Sequence, residues 1–68
     1  MNWHYDNPIE NKQYLCCVKG YSTPVVADWY DNEWGIWITG RGQEWFAFDE
    51  HTVICYVGFD EIPMPESW

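Results

Sequence analysis

The sequence predicts an all-β fold, a small antiparallel meander of four to five strands arranged as a curled sheet or a partly closed barrel. Three observations carry this. Five short segments rich in β-branched and aromatic residues are separated by Gly, Pro, Asn and Asp turn formers. Within those segments apolar side chains alternate with period two, and no window places apolar residues at i, i+3, i+4 and i+7 between a cap and a stop. Fourteen of the 68 residues are aromatic and six of these are Trp, which supplies enough ring area to make disorder improbable in so charged a chain.

The first thirteen residues read as a polar lead-in, with Asn7-Pro8 as a turn and Trp3 and Tyr5 as anchors that fold back on a sheet. Tyr14 to Lys19 is the first strand, and Gly20-Tyr21-Ser22-Thr23-Pro24 connects it to the second, Val25 to Tyr30. There Val25, Ala27 and Trp29 share one face, and Val26, Asp28 and Tyr30 share the other. Asp31-Asn32 suits a two-residue hairpin turn, because both residues tolerate positive φ. In the third strand, Glu33 to Thr39, Trp34, Ile36 and Ile38 fall on one face and Trp37 on the other; Gly35 marks a bulge or a close approach. Gly40-Arg41-Gly42 then leads into a short fourth strand, Glu44 to Phe48, and Asp49 to Thr52 turns again, with room for one turn of helix. The last strand is Val53 to Phe59, followed from Asp60 by a proline-spaced tail that continues neither sheet nor helix. A chain this short is expected to be one acidic domain, residues 1–68, with a marginal core that large Trp side chains or dimerisation would supplement.

Charge narrows the function classes. Eleven acids against three bases give a formal net charge of −8. Neutralising phosphates needs clustered Lys and Arg, so direct nucleic-acid binding is excluded, and an anionic membrane surface repels the chain for the same reason. The N-terminal residues have neither the cationic start nor the apolar run of a signal peptide, and no stretch approaches the roughly 18 apolar residues of a membrane span. A cytoplasmic location is therefore expected. In that reducing compartment Cys16, Cys17 and Cys55 are read chiefly as small buried hydrophobes, and at most one of the adjacent pair shares a face with Cys55. A disulfide from Cys16 or Cys17 to Cys55 is the sharper alternative.

The order of features carries a family resemblance. An early Trp3, the strand Tyr14 to Lys19, a Gly-containing connection, Val25-Val26-Ala27-Asp28-Trp29-Tyr30 and Asn32-Glu33-Trp34 are followed by a hydrophobic strand running into Ile62-Pro63-Met64-Pro65-Glu66. Over residues 14–34 and 53–66 this resembles a domain-of-unknown-function family of short phage and prophage proteins ending in a Trp-Met-Pro-Leu-Pro-Glu-Pro type of tail. Gly58-Phe59-Asp60-Glu61 stands where that family places a Trp, and residues 39–52 look like an insertion. The resemblance implies a phage or prophage origin and no activity.

Chemistry-bearing motifs are sparse. His4 and His51 are far apart, and Cys16-Cys17 lacks the spacer of a zinc knuckle, so neither a metal nor a cofactor is expected. Asp28, Asp31 and Glu33 lack the alternating acids and distal Glu of a calcium loop. His51 and Cys55 stand about 13 Å apart on an extended chain, too far for a nucleophile and its base. Gly40-Arg41-Gly42 has no following helix or Lys-Ser/Thr for a phosphate loop. Catalysis is accordingly not expected.

What stands out is contact potential. Rings on both faces of a small sheet leave one face wet unless something covers it, and Trp and Tyr are enriched in interface hot spots. The acidic field steers the chain toward basic surfaces. The leading expectation is a non-enzymatic, phage-type protein that inhibits a host protein, a defence or nucleic-acid-handling factor, by contact with its basic surface. Asp28, Asp31, Glu33, Glu44, Asp49 and Glu50 would supply the charge, and Trp34, Trp37 or Trp45 the anchor. The alternative expectation is a sequestering module for a nucleotide-derived signal, stacked in an aromatic cleft at an oligomer interface, with Arg41, Lys19 or Lys12 on its phosphate. A third is an assembly subunit whose apolar face only makes a homo-oligomer.

Overall fold

The computed structural model describes residues 2–63. Of the proline-spaced tail only the part up to Pro63 falls within them; residues 64–68 lie outside the described residues. Five strands form one antiparallel sheet: β1 (Gln13–Val18), β2 (Val25–Tyr30), β3 (Glu33–Thr39), β4 (Gln43–Ala47) and β5 (Val53–Gly58), in the order β4-β3-β2-β1-β5. The first four follow one another as a meander, and β5 returns to lie beside β1. The sheet is not closed into a barrel, so the curled sheet is the form adopted.

Local sequence accounts for the turns. Asp31 and Asn32 have φ of 54° and 60°, the paired left-handed geometry of a tight hairpin, and they set Tyr30 opposite Glu33 and Trp29 opposite Trp34. Gly20, at φ 89°, closes the end of β1 in a conformation that a side chain would strain. Among the described residues the one helical turn is a 3-10 turn at Phe59–Glu61, not in Asp49 to Thr52. It forms because the Glu61 carboxylate reaches back to accept from the Gly58 N–H at 2.8 Å, tying down the end of β5.

The curl follows from chain reach. β4 and β5 run in the same direction at opposite edges, so the five steps from Phe48 to Val53 must both cross the sheet and climb its length. Flat, the edges would lie about 19 Å apart, and five extended steps span at most about 18 Å with nothing left for the climb. Curling brings the edges together. Its result is visible in the core: Trp34 of β3 and Tyr56 of β5 have ring centroids 5.4 Å apart, although three strand spacings of a flat sheet would put about 14 Å between them.

The concave face is the core. Tyr14, Cys16, Val18, Ala27, Trp29 and Tyr56 are buried there, with Val25, Trp34, Phe48 and Val53 packed against them. The register places the core-facing residues in line: Tyr14 opposite Ala27, Cys16 opposite Val25 and also opposite Tyr56. Rings meet edge to face, Tyr14 with Trp34 at 5.7 Å and Trp29 with Trp34 at 5.1 Å, an arrangement that adds to area burial. The N-terminal arm does fold back on the sheet, but through His4, which exchanges backbone hydrogen bonds with Tyr56 at 2.8 and 3.0 Å on the outer edge of β5. Of the two expected anchors, Trp3 is half-buried and Tyr5 is 74% exposed.

Candidate functional site: an aromatic and acidic convex face

The convex face carries Leu15 and Cys17 of β1, Val26, Asp28 and Tyr30 of β2, Glu33, Gly35 and Trp37 of β3, Trp45 and Ala47 of β4, and the buried Cys55 and Val57 of β5, as the register requires. At its β3 and β4 side, three rings converge. Tyr30 lies 5.1 Å from Trp37 and 5.5 Å from Trp45, and the two indoles are 5.0 Å apart. Gly35 makes this possible. A Cβ there would stand 2.6 Å from Cζ2 of Trp45, so the indole lies directly over the glycine. Gly35 is thus the close approach that its place in a strand suggests, while the sheet's irregularity lies between Cys17 and Val18 against β5.

The cluster is wet and negatively framed. Tyr30 is 44% exposed and Trp37 36%, whereas Trp45 and Glu33 are half-buried. The indole N–H of Trp45 donates to Glu33 Oε1 at 2.5 Å, fixing both ring and carboxylate. Asp28 is paired with Gly35 on the same face, and Asp31 sits in the hairpin turn beyond Tyr30. The structure thereby brings Trp37, Trp45, Asp28 and Glu33 onto one surface, with Asp31 at its end.

The remaining candidates lie elsewhere. Trp34 packs into the core against Tyr14, Trp29 and Tyr56, so it anchors the fold and presents no surface like that of Trp37. Glu44 pairs with Ile38 and belongs to the concave side. Asp49 and Glu50 are exposed in the crossing from β4 to β5. Arg41 is exposed in the β3–β4 turn, Lys19 follows β1 at the same end of the sheet, and Lys12 precedes β1 at the opposite end. Lys12 is also engaged, 3.5 Å from Glu10, 3.6 Å from Asp60 and 5.3 Å over the Tyr14 ring. Tyr30 is the residue that sequence reasoning left out. Its signal was present: a two-residue turn after Tyr30 fixes it opposite Glu33 and diagonal to Trp37.

Two further surfaces have shape. A cavity of about 370 Å³ lies between the N-terminal arm and the 3-10 turn, with His4, Lys12, Tyr14, Tyr56 and Glu61 on its walls. Its polar groups satisfy one another: His4 Nε2 and Glu61 Oε1 are 2.7 Å apart, and the Tyr56 hydroxyl donates to Asp6 at 3.2 Å. The hydrogen bond from His4, with that from the Gly58 N–H, holds the Glu61 carboxyl below its usual range. Burial, reinforced by Asp6, pushes Tyr56 up to about 12. A second, apolar groove of about 320 Å³ lies among Val18, Tyr21, Val25, Ile36, Phe48 and His51. His51 there meets Tyr21 and Phe48 edge to face, both at 5.7 Å.

All three cysteines are free thiols. Cys16 is fully buried on the concave face, and burial pushes its thiol up to about 12, which leaves it unreactive. Among the described residues no three His, Cys, Asp or Glu side chains come together in a way that could hold a metal ion. No helix among them is long and apolar enough to cross a membrane. Comparisons with protein-family models, curated proteins and solved structures give no match.

Proposed function

We propose that the chain is a non-enzymatic binding protein that docks its convex aromatic and acidic face on the basic surface of a protein partner. The observation that carries this is the Tyr30, Trp37 and Trp45 cluster, held over Gly35 and rimmed by Asp28, Asp31 and Glu33. Such a patch joins a rigid ring anchor to charges of the sign that the net −8 presents to any partner, the combination that supports fast, oriented association with a cationic surface. The finer reading, a phage-type inhibitor acting in the host cytoplasm on a defence or nucleic-acid-handling protein, rests on the sequence resemblance and on this charge. Proteins of that class present the basic grooves that an acidic surface complements.

The test is retention of proteins from a bacterial extract on the immobilised chain, wild type beside Trp37→Ala, with a salt gradient and mass-spectrometric identification. A specific basic protein held at low salt, released within a few hundred millimolar, and lost with Trp37→Ala is the expected result. Retention that ignores salt, or that survives Trp37→Ala together with Glu33→Gln, would remove the convex face from consideration. Nucleotide titration of the Trp fluorescence in the same preparation addresses the alternative ligand-sequestering reading.

A further inference from the structure

We propose that Cys17 and Cys55 form a modification site, a dithiol that a low-molecular-weight disulfide converts into a covalent staple between β1 and β5. The register pairs these two residues directly across the ladder. Their side chains share the convex face, opposite to Cys16. The hydrogen bonds fix which kind of pair they are. Both backbone groups of Tyr56 are spent outward on His4, the Trp29 N–H goes to Lys12, and the Lys19 N–H goes to Thr52. Even-numbered residues of β1 therefore bond β2 and odd-numbered ones bond β5, which makes Cys17 and Cys55 a hydrogen-bonded pair.

Such a pair has Cα atoms about 5.5 Å apart, inside the window of about 4.4 to 6.8 Å that a disulfide spans. Its Cβ atoms must close by about 1 Å or more, since opposed pairs stand at ~4.5 to 5.5 Å and a disulfide prefers ~3.8 Å. The bulge supplies the play: the register slips between Cys17 and Val18, leaving Ile54 without a partner beside Cys55.

The chemistry balances as two exchanges. The Cys17 thiolate, on the more open of the two residues, attacks one sulfur of a disulfide such as oxidised glutathione, forming a mixed disulfide and expelling one thiol. The Cys55 thiolate then attacks Sγ of Cys17, expelling the second thiol and closing the bond. The reagent gains two electrons and the two protons; the protein loses two hydrogens. Burial and the neighbouring Cys17 thiol raise the pKa of Cys55, which favours Cys17 as the first nucleophile. Cys16, on the other face, is out of reach of both.

The experiment treats the reduced wild-type chain with oxidised glutathione, blocks remaining thiols and maps peptides by mass spectrometry. The expected product is a monomer lighter by two hydrogens, with one blocked thiol at Cys16 and a Cys17–Cys55 peptide released by reductant. Cys16→Ala should give the same crosslink, and Cys17→Ser should give none. A stable glutathione adduct on wild type, three blocked thiols, a crosslink between chains or one that includes Cys16 would each overturn the proposal. The wild-type map alone decides the matter if a variant does not fold.

Discussion

The indole of Trp45 lies over Gly35, where a Cβ would approach Cζ2 to 2.6 Å and Cη2 to 2.9 Å, and would also meet the carbonyl oxygen of Phe46. One missing side chain thus decides whether the ring cluster of the convex face can assemble. Gly35 is needed for space, since its φ is not in the left-handed region.

Gly35→Ala is expected to destabilise the chain by about 2 kcal/mol, the scale of overpacking against backbone that cannot move away. Urea unfolding followed by Trp fluorescence measures this. Unchanged stability with an unchanged emission spectrum would show that the indole does not rest on Gly35.

The hydrogen bond from Trp45 to Glu33 should couple the two side chains. In a double-mutant cycle of Trp45→Phe and Glu33→Ala, the coupling is expected near 1 kcal/mol, the value of a partly exposed bond to a charged acceptor. Additive effects would mean that the carboxylate is free.

Acid should release the end of β5. Because Glu61 is held below its ordinary value of 4.5, the contribution of its contacts is fully present above that value and is lost as pH falls through the lower, folded pKa. The Gly58 amide reports this directly, and its NMR shift should titrate with a midpoint below 4.5. The transition should vanish in Glu61→Gln.

Alkali should loosen the core by the opposite sign. Tyr56 is neutral in the fold and its pKa is raised from 10.0 to about 12, so its contribution is intact below pH 10 and drains away as pH rises toward 12. Phenolate absorbance should therefore show a Tyr56 component appearing only in that window, together with unfolding. Tyr56→Phe should remove the component, and a Tyr56 midpoint at 10 would contradict the burial that causes the shift.

Much of this architecture is legible in the sequence. Val25 to Tyr30 and Glu33 to Thr39 alternate so regularly around Asp31-Asn32 that the strands, the turn and the separation of Trp34 from Trp37 all follow from period two. The place of β5 beside β1 was not legible, because a strand's own alternation names its buried face and not its neighbour. Nor was it evident which Trp would stay wet. That depends on curl, and curl is set by the short crossing from Phe48 to Val53. The turn at Phe59–Glu61 is too brief to leave a periodic trace, being made by one carboxylate reaching one amide.

The sheet's two borders differ in what they offer a further strand. Along β5, the outward amides of Tyr56 and Gly58 are consumed by His4 and Glu61. Along β4, bonding of Phe48 to Trp34 turns the even residues inward, so Gln43, Trp45 and Ala47 present their backbone groups outward. Among the described residues the β4 border is open along its length, whereas the β5 border is blocked at Tyr56 and Gly58, so strand addition is favoured on one side of the sheet. Edge-to-edge pairing through β4 leaves β5 hindered, and growth past a pair along β5 would first require stripping the N-terminal arm and breaking the Glu61 cap.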